Sequence, residues 1–293
     1  MVIEQEIERG TVTTNGVEFG YLTCGSGPLA LCLHGFPDSA HTWRHLLPAL
    51  ADVGFRAVAP FQRGYAPTAV PADGRYQSGA LAADANALHD ALGGGADAVI
   101  IGHDWGAPAT YGAACFEPDR WRAVVAMAVP SGGAVNKAFL GNFAQLKRSW
   151  YMFFFQHGLA DVIVGINDLA FIDGLWADWS PGYDASSDLV AVKDALRQPA
   201  NLQAALGYYR ARLGDGYRDP ALESIQEATG LWPSQPTLYI HGRNDGCIGV
   251  EVAQAAAAEA PPNVRIEYLD DCGHFLQLER PTEVNAMITG FVT

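Results

Sequence analysis

The sequence predicts an α/β domain in which a mostly parallel sheet is covered by helices on both faces and interrupted by a helical insertion. Three observations predict it. Short apolar or β-branched runs bounded by Gly, Pro and Asp recur early, amphipathic stretches separate the later ones, and strand signals vanish over residues 134–225 before returning near the C-terminus. Continuously apolar strands that alternate with helices belong to a parallel sheet buried on both sides.

After a hairpin-like start, strand runs occupy residues 17–22, 29–33, 56–59, 98–101 and 124–128. Trp43, Leu46, Leu47 and Leu50 fall at i, i+3, i+4 and i+7 and read as a helix, which Pro48 should kink or delay. Leu81, Ala85, Leu88 and Leu92 repeat with nearly the same period. Residues 134–225 then turn helical and aromatic, with Trp150, Tyr151, Phe153, Phe154, Phe155, Trp176, Trp179 and Tyr183 crowded together. Strands resume at 237–240 and 264–269, with the alanine run 255–258 reading as helix between them. A last helix puts Val284, Met287, Ile288 and Phe291 on one face. The expected organisation is a core of residues 1–133 and 226–293 around an inserted helical unit at 134–225.

A chain of 293 residues with 49% hydrophobic and 17% charged residues can bury a sizeable core, which excludes a disordered protein. Its 32 Gly and 17 Pro show no period that would suggest a fibrous or repeat architecture. Lys and Arg total 18 against 32 Asp and Glu, a net charge of −14 that disfavours nucleic acid, anionic membranes and anionic substrates. Cys24, Cys32, Cys115, Cys247 and Cys272 are odd in number and scattered, which points to reduced thiols and a cytoplasmic setting. The first ten residues hold three Glu, one Arg and no apolar stretch, unlike a signal or transit peptide. The longest apolar runs, such as 123–129 and 151–155, fall far short of the ~20 residues that span a bilayer.

The segment Val99-Ile100-Ile101-Gly102-His103-Asp104-Trp105-Gly106-Ala107 reads as a buried strand, a tight turn of small residues and a helix start. Its frame is G-x-nucleophile-x-G, in which two glycines permit a strained turn that lifts one side chain above the sheet. Alone, Asp104 would read as a helix cap. In this frame it is a carboxylate nucleophile, already ionised at neutral pH and able to attack carbon without a base to deprotonate it. Three other strand ends supply partners: His34-Gly35-Phe36-Pro37, His241-Gly242-Arg243-Asn244-Asp245 and Asp271-Cys272-Gly273-His274. Loops at the carboxyl ends of parallel strands converge on one crevice.

Other groupings carry less. His34, His103 and His241 lie near Asp104 in these motifs but have no metal-ligand spacing, so no metal site is expected and they read as loop braces. Gly93-Gly94-Gly95 and Gly25-Ser26-Gly27 precede strands and are turns, not phosphate loops. Ser131 lacks the elbow frame of a serine nucleophile.

The order Asp104, Asp245, His274, with G-H-D-W-G-A, H-G-F-P, H-G-x-x-D and G-H-F-L-Q-L-E-R-P, resembles the α/β-hydrolase-fold epoxide hydrolases over nearly the whole chain. The resemblance implies a mostly parallel eight-stranded sheet flanked by helices, with a helical cap, and an ether-bond hydrolase that needs no cofactor and has a detoxifying role. It implies Asp104 as nucleophile, His274 as base and Asp245 as its partner. It also implies an oxyanion hole at Phe36 and Trp105, and a pocket of Phe36, Pro37, Trp105, Trp150 and Phe155. Two cap tyrosines that hold the epoxide oxygen match Tyr151 and Tyr209, with Tyr208 one residue away from the latter. The segment Arg63-Gly64-Tyr65-Ala66-Pro67-Thr68 departs from the R-G-x-G-x-S common in relatives.

Such residues would open a small apolar epoxide with water to a vicinal diol through an ester on Asp104. A haloalkane or haloacid dehalogenase could use the same three residues. Phe36 stands where haloalkane dehalogenases commonly carry Asn, and Trp105 where haloacetate dehalogenases carry Arg. A binding protein that kept the scaffold is the third alternative. The epoxide's identity and any homo-oligomer are left open.

Overall fold

Asn15 and Gly16, both with positive φ, turn the chain back between β1 (Glu8–Thr14) and β2 (Val17–Cys24) as a two-residue hairpin. The computed structural model describes residues 6–131 and 133–293. The six strands that follow are β3 (Leu29–Leu33), β4 (Arg56–Pro60), β5 (Val99–His103), β6 (Ala123–Met127), β7 (Thr237–Gly242) and β8 (Val264–Leu269). Together the eight strands form one sheet in the order β1-β2-β4-β3-β5-β6-β7-β8. The pairs β1/β2 and β2/β4 are antiparallel and every later pair is parallel. Strands β3, β5, β6 and β7 are buried along their whole length, which explains their unbroken apolar text.

Helices α1 (Leu46–Asp52), α2 (Ser78–Ala91) and α3 (Gly106–Phe116) cover this sheet. Pro48 delays the first of them as expected: a short 3₁₀ turn holds Ala40–Trp43, and α1 takes Pro48 in its first turn, where a missing N–H costs no helix bond. Leu81, Ala85 and Leu88 form the buried stripe of α2.

Between β6 and β7 lie only helices among the described residues: α4 (Ala134–Gly141), α5 (Phe143–Arg148), α6 (Trp150–Phe154), α7 (Ala160–Ile163), α8 (Ala170–Trp179), α9 (Ser186–Leu196), α10 (Pro199–Leu213) and α11 (Glu223–Ala228), with a 3₁₀ turn at Pro220–Leu222. Helix α11 spans the expected boundary at residue 225 and packs on α2 and α3, with Gln226 accepting the Gly79 N–H at 2.8 Å. Helices α12 (Val250–Ala257), α13 (Leu276–Glu279) and α14 (Pro281–Val292) complete the chain. On α14, Val284 and Ile288 are fully buried, and Met287 and Phe291 pack beside them. Among the described residues no helix is long and apolar enough to cross a membrane.

The loop after β4 fixes α10 over the sheet. The Arg63 guanidinium grips the Asp84 carboxylate through two nitrogens, at 2.5 and 2.6 Å, with almost no side-chain exposure on either partner. The carbonyls of Arg63 and Gly64 then accept from Tyr208 Oη at 2.8 Å and Asn201 Nδ2 at 2.7 Å, both on α10.

Candidate active site

The turn between β5 and α3 holds Asp104 at φ +51, a left-handed conformation that a non-glycine residue adopts only when its surroundings enforce it. A Cβ on Gly102 would overlap the Gly106 carbonyl, and one on Gly106 would overlap the Leu33 carbonyl, so both glycines are required by close approach. The helix cap is Trp105, not Asp104. The Asp104 carboxylate instead faces the loop after β3, where the Phe36 N–H donates to Oδ1 at 2.7 Å.

His274, in the loop after β8, is fully buried. Its Nδ1 donates to Asp245 Oδ2 at 2.9 Å, and its Nε2 lies 3.5 Å from Asp104 Oδ2. The other Asp245 oxygen accepts the N–H groups of Cys247 and Ile248, at 2.7 and 2.9 Å, which fixes the carboxylate against the imidazole. Burial alone would lower the His274 pKa, but the Asp245 charge and the Asp104 and Asp245 hydrogen bonds reverse this and hold it up, at about 10. Burial works to raise Asp104, and the His274 hydrogen bond and charge outweigh it, leaving this carboxyl below its ordinary value. The result is a buried carboxylate that stays ionised beside a cationic imidazole.

His34, His103 and His241 brace loops. His34 Nε2 accepts the Gln62 N–H at 3.0 Å, and His241 pairs with the Ile248 carbonyl at 3.0 Å. His103 Nε2 donates to the His274 carbonyl at 2.9 Å, while its Nδ1 lies 3.9 Å from Asp38. Burial pushes His103 down to about 3 and Asp38 well up, so an uncharged pair backs the His274 main chain. Asp104, Cys247 and His274 form the one buried group of possible metal ligands among the described residues, with ligand atoms within 4.8 Å of one another. The Phe36 N–H, the Tyr151 hydroxyl and Asp245 engage Asp104 Oδ1, Cys247 Sγ and His274 Nδ1, while His274 Nε2 faces Asp104 Oδ2.

Above Asp104 the helices between β6 and β7 enclose a cavity of about 320 Å³, whose lining includes Asp104, Trp105, Val129, Phe139, Tyr151, Met152, Tyr209 and Ile248. Tyr151 and Tyr209 stand edge to face with ring centroids 5.6 Å apart. Tyr151 Oη lies 3.3 Å from Cys247 Sγ, whereas Tyr209 Oη is buried without a hydrogen-bond partner. Burial raises both phenols well above their ordinary pKa, with the Cys247 and Asp104 charges adding to it, so both remain protonated. Tyr208 faces away, donating to the Arg63 carbonyl and stacking on Tyr76.

Four of the expected pocket residues take other positions. Trp150 is 46% exposed and packs on Phe154 and Phe171 at the outer surface, because consecutive helical residues project about 100° apart and Tyr151 is the one turned inward. Phe36 and Phe155 are completely buried against the Tyr209 ring, at 5.1 Å each, and support that ring from behind the cavity wall. Pro37 accepts the Trp176 indole N–H at 2.8 Å and does not line the cavity. Of the five, Trp105 alone lines it. Sequence reasoning missed Val129, Phe139, Met152 and Ile248. Ile248 and Met152 had a signal nearby, three residues beyond Asp245 and next to Tyr151.

Residues 28–281 match a sequence model described as the alpha/beta hydrolase fold. The chain is 32% identical to epoxide hydrolase A of Mycobacterium tuberculosis, over 96% of both chains. It is 31% identical to an epoxide hydrolase of Caballeronia sordidicola, over 96% of this chain and 92% of that one. Among solved structures, an epoxide hydrolase of Bacillus megaterium bound to an inhibitor superposes with a TM-score of 0.82 at 26% identity, covering 97% of this chain and 99% of the other.

Proposed function

The chain belongs to the alpha/beta hydrolase fold family, and from that premise we propose that it is an epoxide hydrolase, turning an apolar epoxide and water into a vicinal diol. The observation that carries the proposal is the Tyr209 hydroxyl, a protonated donor with no partner, held over the same cavity as the ionised Asp104. An epoxide oxygen leaves as an alkoxide and needs a proton there, and the cavity offers two phenols.

Asp104 Oδ1 is occupied by the Phe36 N–H, so Oδ2 is the attacking oxygen. It forms a bond to one ring carbon as that C–O bond breaks, and the freed oxygen takes a proton from Tyr209 or Tyr151. The product is a hydroxyalkyl ester on Asp104. With the Asp104 charge gone into the ester, the cationic His274 gives its proton to the phenolate; water next gives a proton to the now neutral Nε2 and attacks the ester carbonyl carbon, with Asp245 orienting the imidazole. The Phe36 N–H, already aimed at Oδ1, and the Trp105 N–H, at the unfilled start of α3, hold the negative charge on that oxygen. Collapse passes the remaining water proton to the departing alkoxide and releases the diol, leaving Asp104 ionised and His274 cationic as at the start. No metal or organic cofactor enters. We take α4 to α10 as the lid and a cytoplasmic setting from the five free thiols.

A single turnover in ¹⁸O-labelled water tests the proposal. Both diol oxygens should be unlabelled, one from the epoxide and one from Asp104, and the label should appear in the Asp104 carboxylate. Label in the first diol released would instead mean direct attack by water and would refute the ester route.

A further inference from the structure

We propose that the epoxide taken by this site carries a carboxylate at the end remote from the ring, held by Arg212 at the cavity mouth. The inference rests on the epoxide hydrolase reading and names the substrate class for that site.

Arg212 lies three residues beyond Tyr209 on α10, so the two share a helix face about 4.5 Å apart along the axis. Both line the same cavity, Tyr209 at the reacting end with Asp104 and Arg212 at the opening. The floor and middle are apolar, from Trp105, Val129 and Phe139, and the mouth is charged.

The charges at the mouth are not equivalent. Arg218 is paired with Glu223 at 3.2 Å, and Glu227 lies on the same rim. Arg212 has no ion pair among the described residues; it donates only to the neutral side chain of Asn136, which leaves most of its five N–H donors free. Arg212 is exposed at this rim, where the nearby Arg218 repels its charge. A guanidinium so placed is completed by a carboxylate, which its planar fork can bind through two N–H groups. The net charge of −14 opposes anions only over long range, and salt screens that field beyond roughly 8 Å, so the nearest cation decides binding at the mouth.

The test compares an ω-epoxyoctanoic acid with its methyl ester, and with the neutral styrene oxide, by kcat/KM. The acid should exceed the ester by about fivefold, the size of one partly exposed charge pair, with the difference lying in KM. Arg212→Gln should bring the ratio to about one, Arg212→Lys should retain part of it, and Glu227→Gln should raise it, a sign pattern that a purely structural role would not produce. An ester turned over as well as the acid by the parent protein, or a preference that survives Arg212→Gln, would overturn the inference while leaving epoxide hydrolysis intact. A protein that opens none of the three compounds would overturn the epoxide reading itself and this inference with it.

Discussion

Removing the Tyr209 hydroxyl should leave the protein as stable and make it less active. That hydroxyl holds no hydrogen bond to another part of the chain and lines the cavity with Asp104, so its loss breaks no contact of the fold. Tyr209→Phe should change stability by less than about 0.5 kcal/mol and move Tm by less than about 2 °C for a chain of this length. The same hydroxyl protonates the leaving oxygen in the proposed reaction. Losing it should slow ester formation by about 10²-fold, the usual contribution of one positioned acid. Tyr208→Phe is the control one residue away, with the opposite signature. Its hydroxyl donates to the Arg63 carbonyl at 2.8 Å, so its loss should cost about 1 kcal/mol and leave the chemistry within threefold. Thermal melts together with single-turnover quench kinetics read both quantities. A Tyr208→Phe protein slowed a hundredfold, beside a Tyr209→Phe protein that is not, would exchange the two roles and exclude Tyr209 as the acid.

Three further outcomes follow from the same contacts. Asp245→Asn should leave ester formation nearly intact but slow ester hydrolysis by about 10³–10⁴-fold, since an amide no longer holds the Nδ1 proton in place; burst kinetics with a large first phase would show it. The His274 pKa is raised mainly against burial by nearby carboxylates, and esterification neutralises Asp104, 3.5 Å away, so the imidazole should lose its proton more easily in the intermediate. Ester hydrolysis should therefore rise with pH about a midpoint below the titration of His274 in the free protein, which is held at about 10; coincident midpoints from transient kinetics and imidazole NMR would contradict this. Asp84→Ala strands the buried Arg63 and should cost about 3 kcal/mol, a fall of about 6 °C in a thermal melt, with no such loss for the exposed pair partner Glu259→Ala.

The parts of this molecule legible in its sequence are those decided by short-range geometry. Gly102, Asp104 and Gly106 form a turn that only small residues allow, and Asp245 and His274 end strands whose apolar text marks them. Strand β1 shows only as a hairpin-like start because it lies at the sheet edge, half exposed, with no apolar run in Glu8–Thr14. The choice between Tyr208 and Tyr209 depends on a rotation of about 100°, which neighbouring contacts such as the Arg63 carbonyl decide. The same rotation sends Trp150 outward from an aromatic run that reads as uniformly internal. Cavity walls such as Val129, Phe139 and Ile248 come from separate loops and helices that meet only after folding, so no spacing in the chain announces them.

An ester on Asp104 would be seen in the intact mass of His274→Gln after incubation with neutral aryl and alkyl epoxides, with haloalkanes beside them. Without the base, the ester should persist, giving a mass gain equal to the whole epoxide and mapping to the peptide that contains Asp104. A haloalkane adduct lacking its halogen, with every epoxide silent, or an epoxide adduct on a residue other than Asp104, would contradict the account.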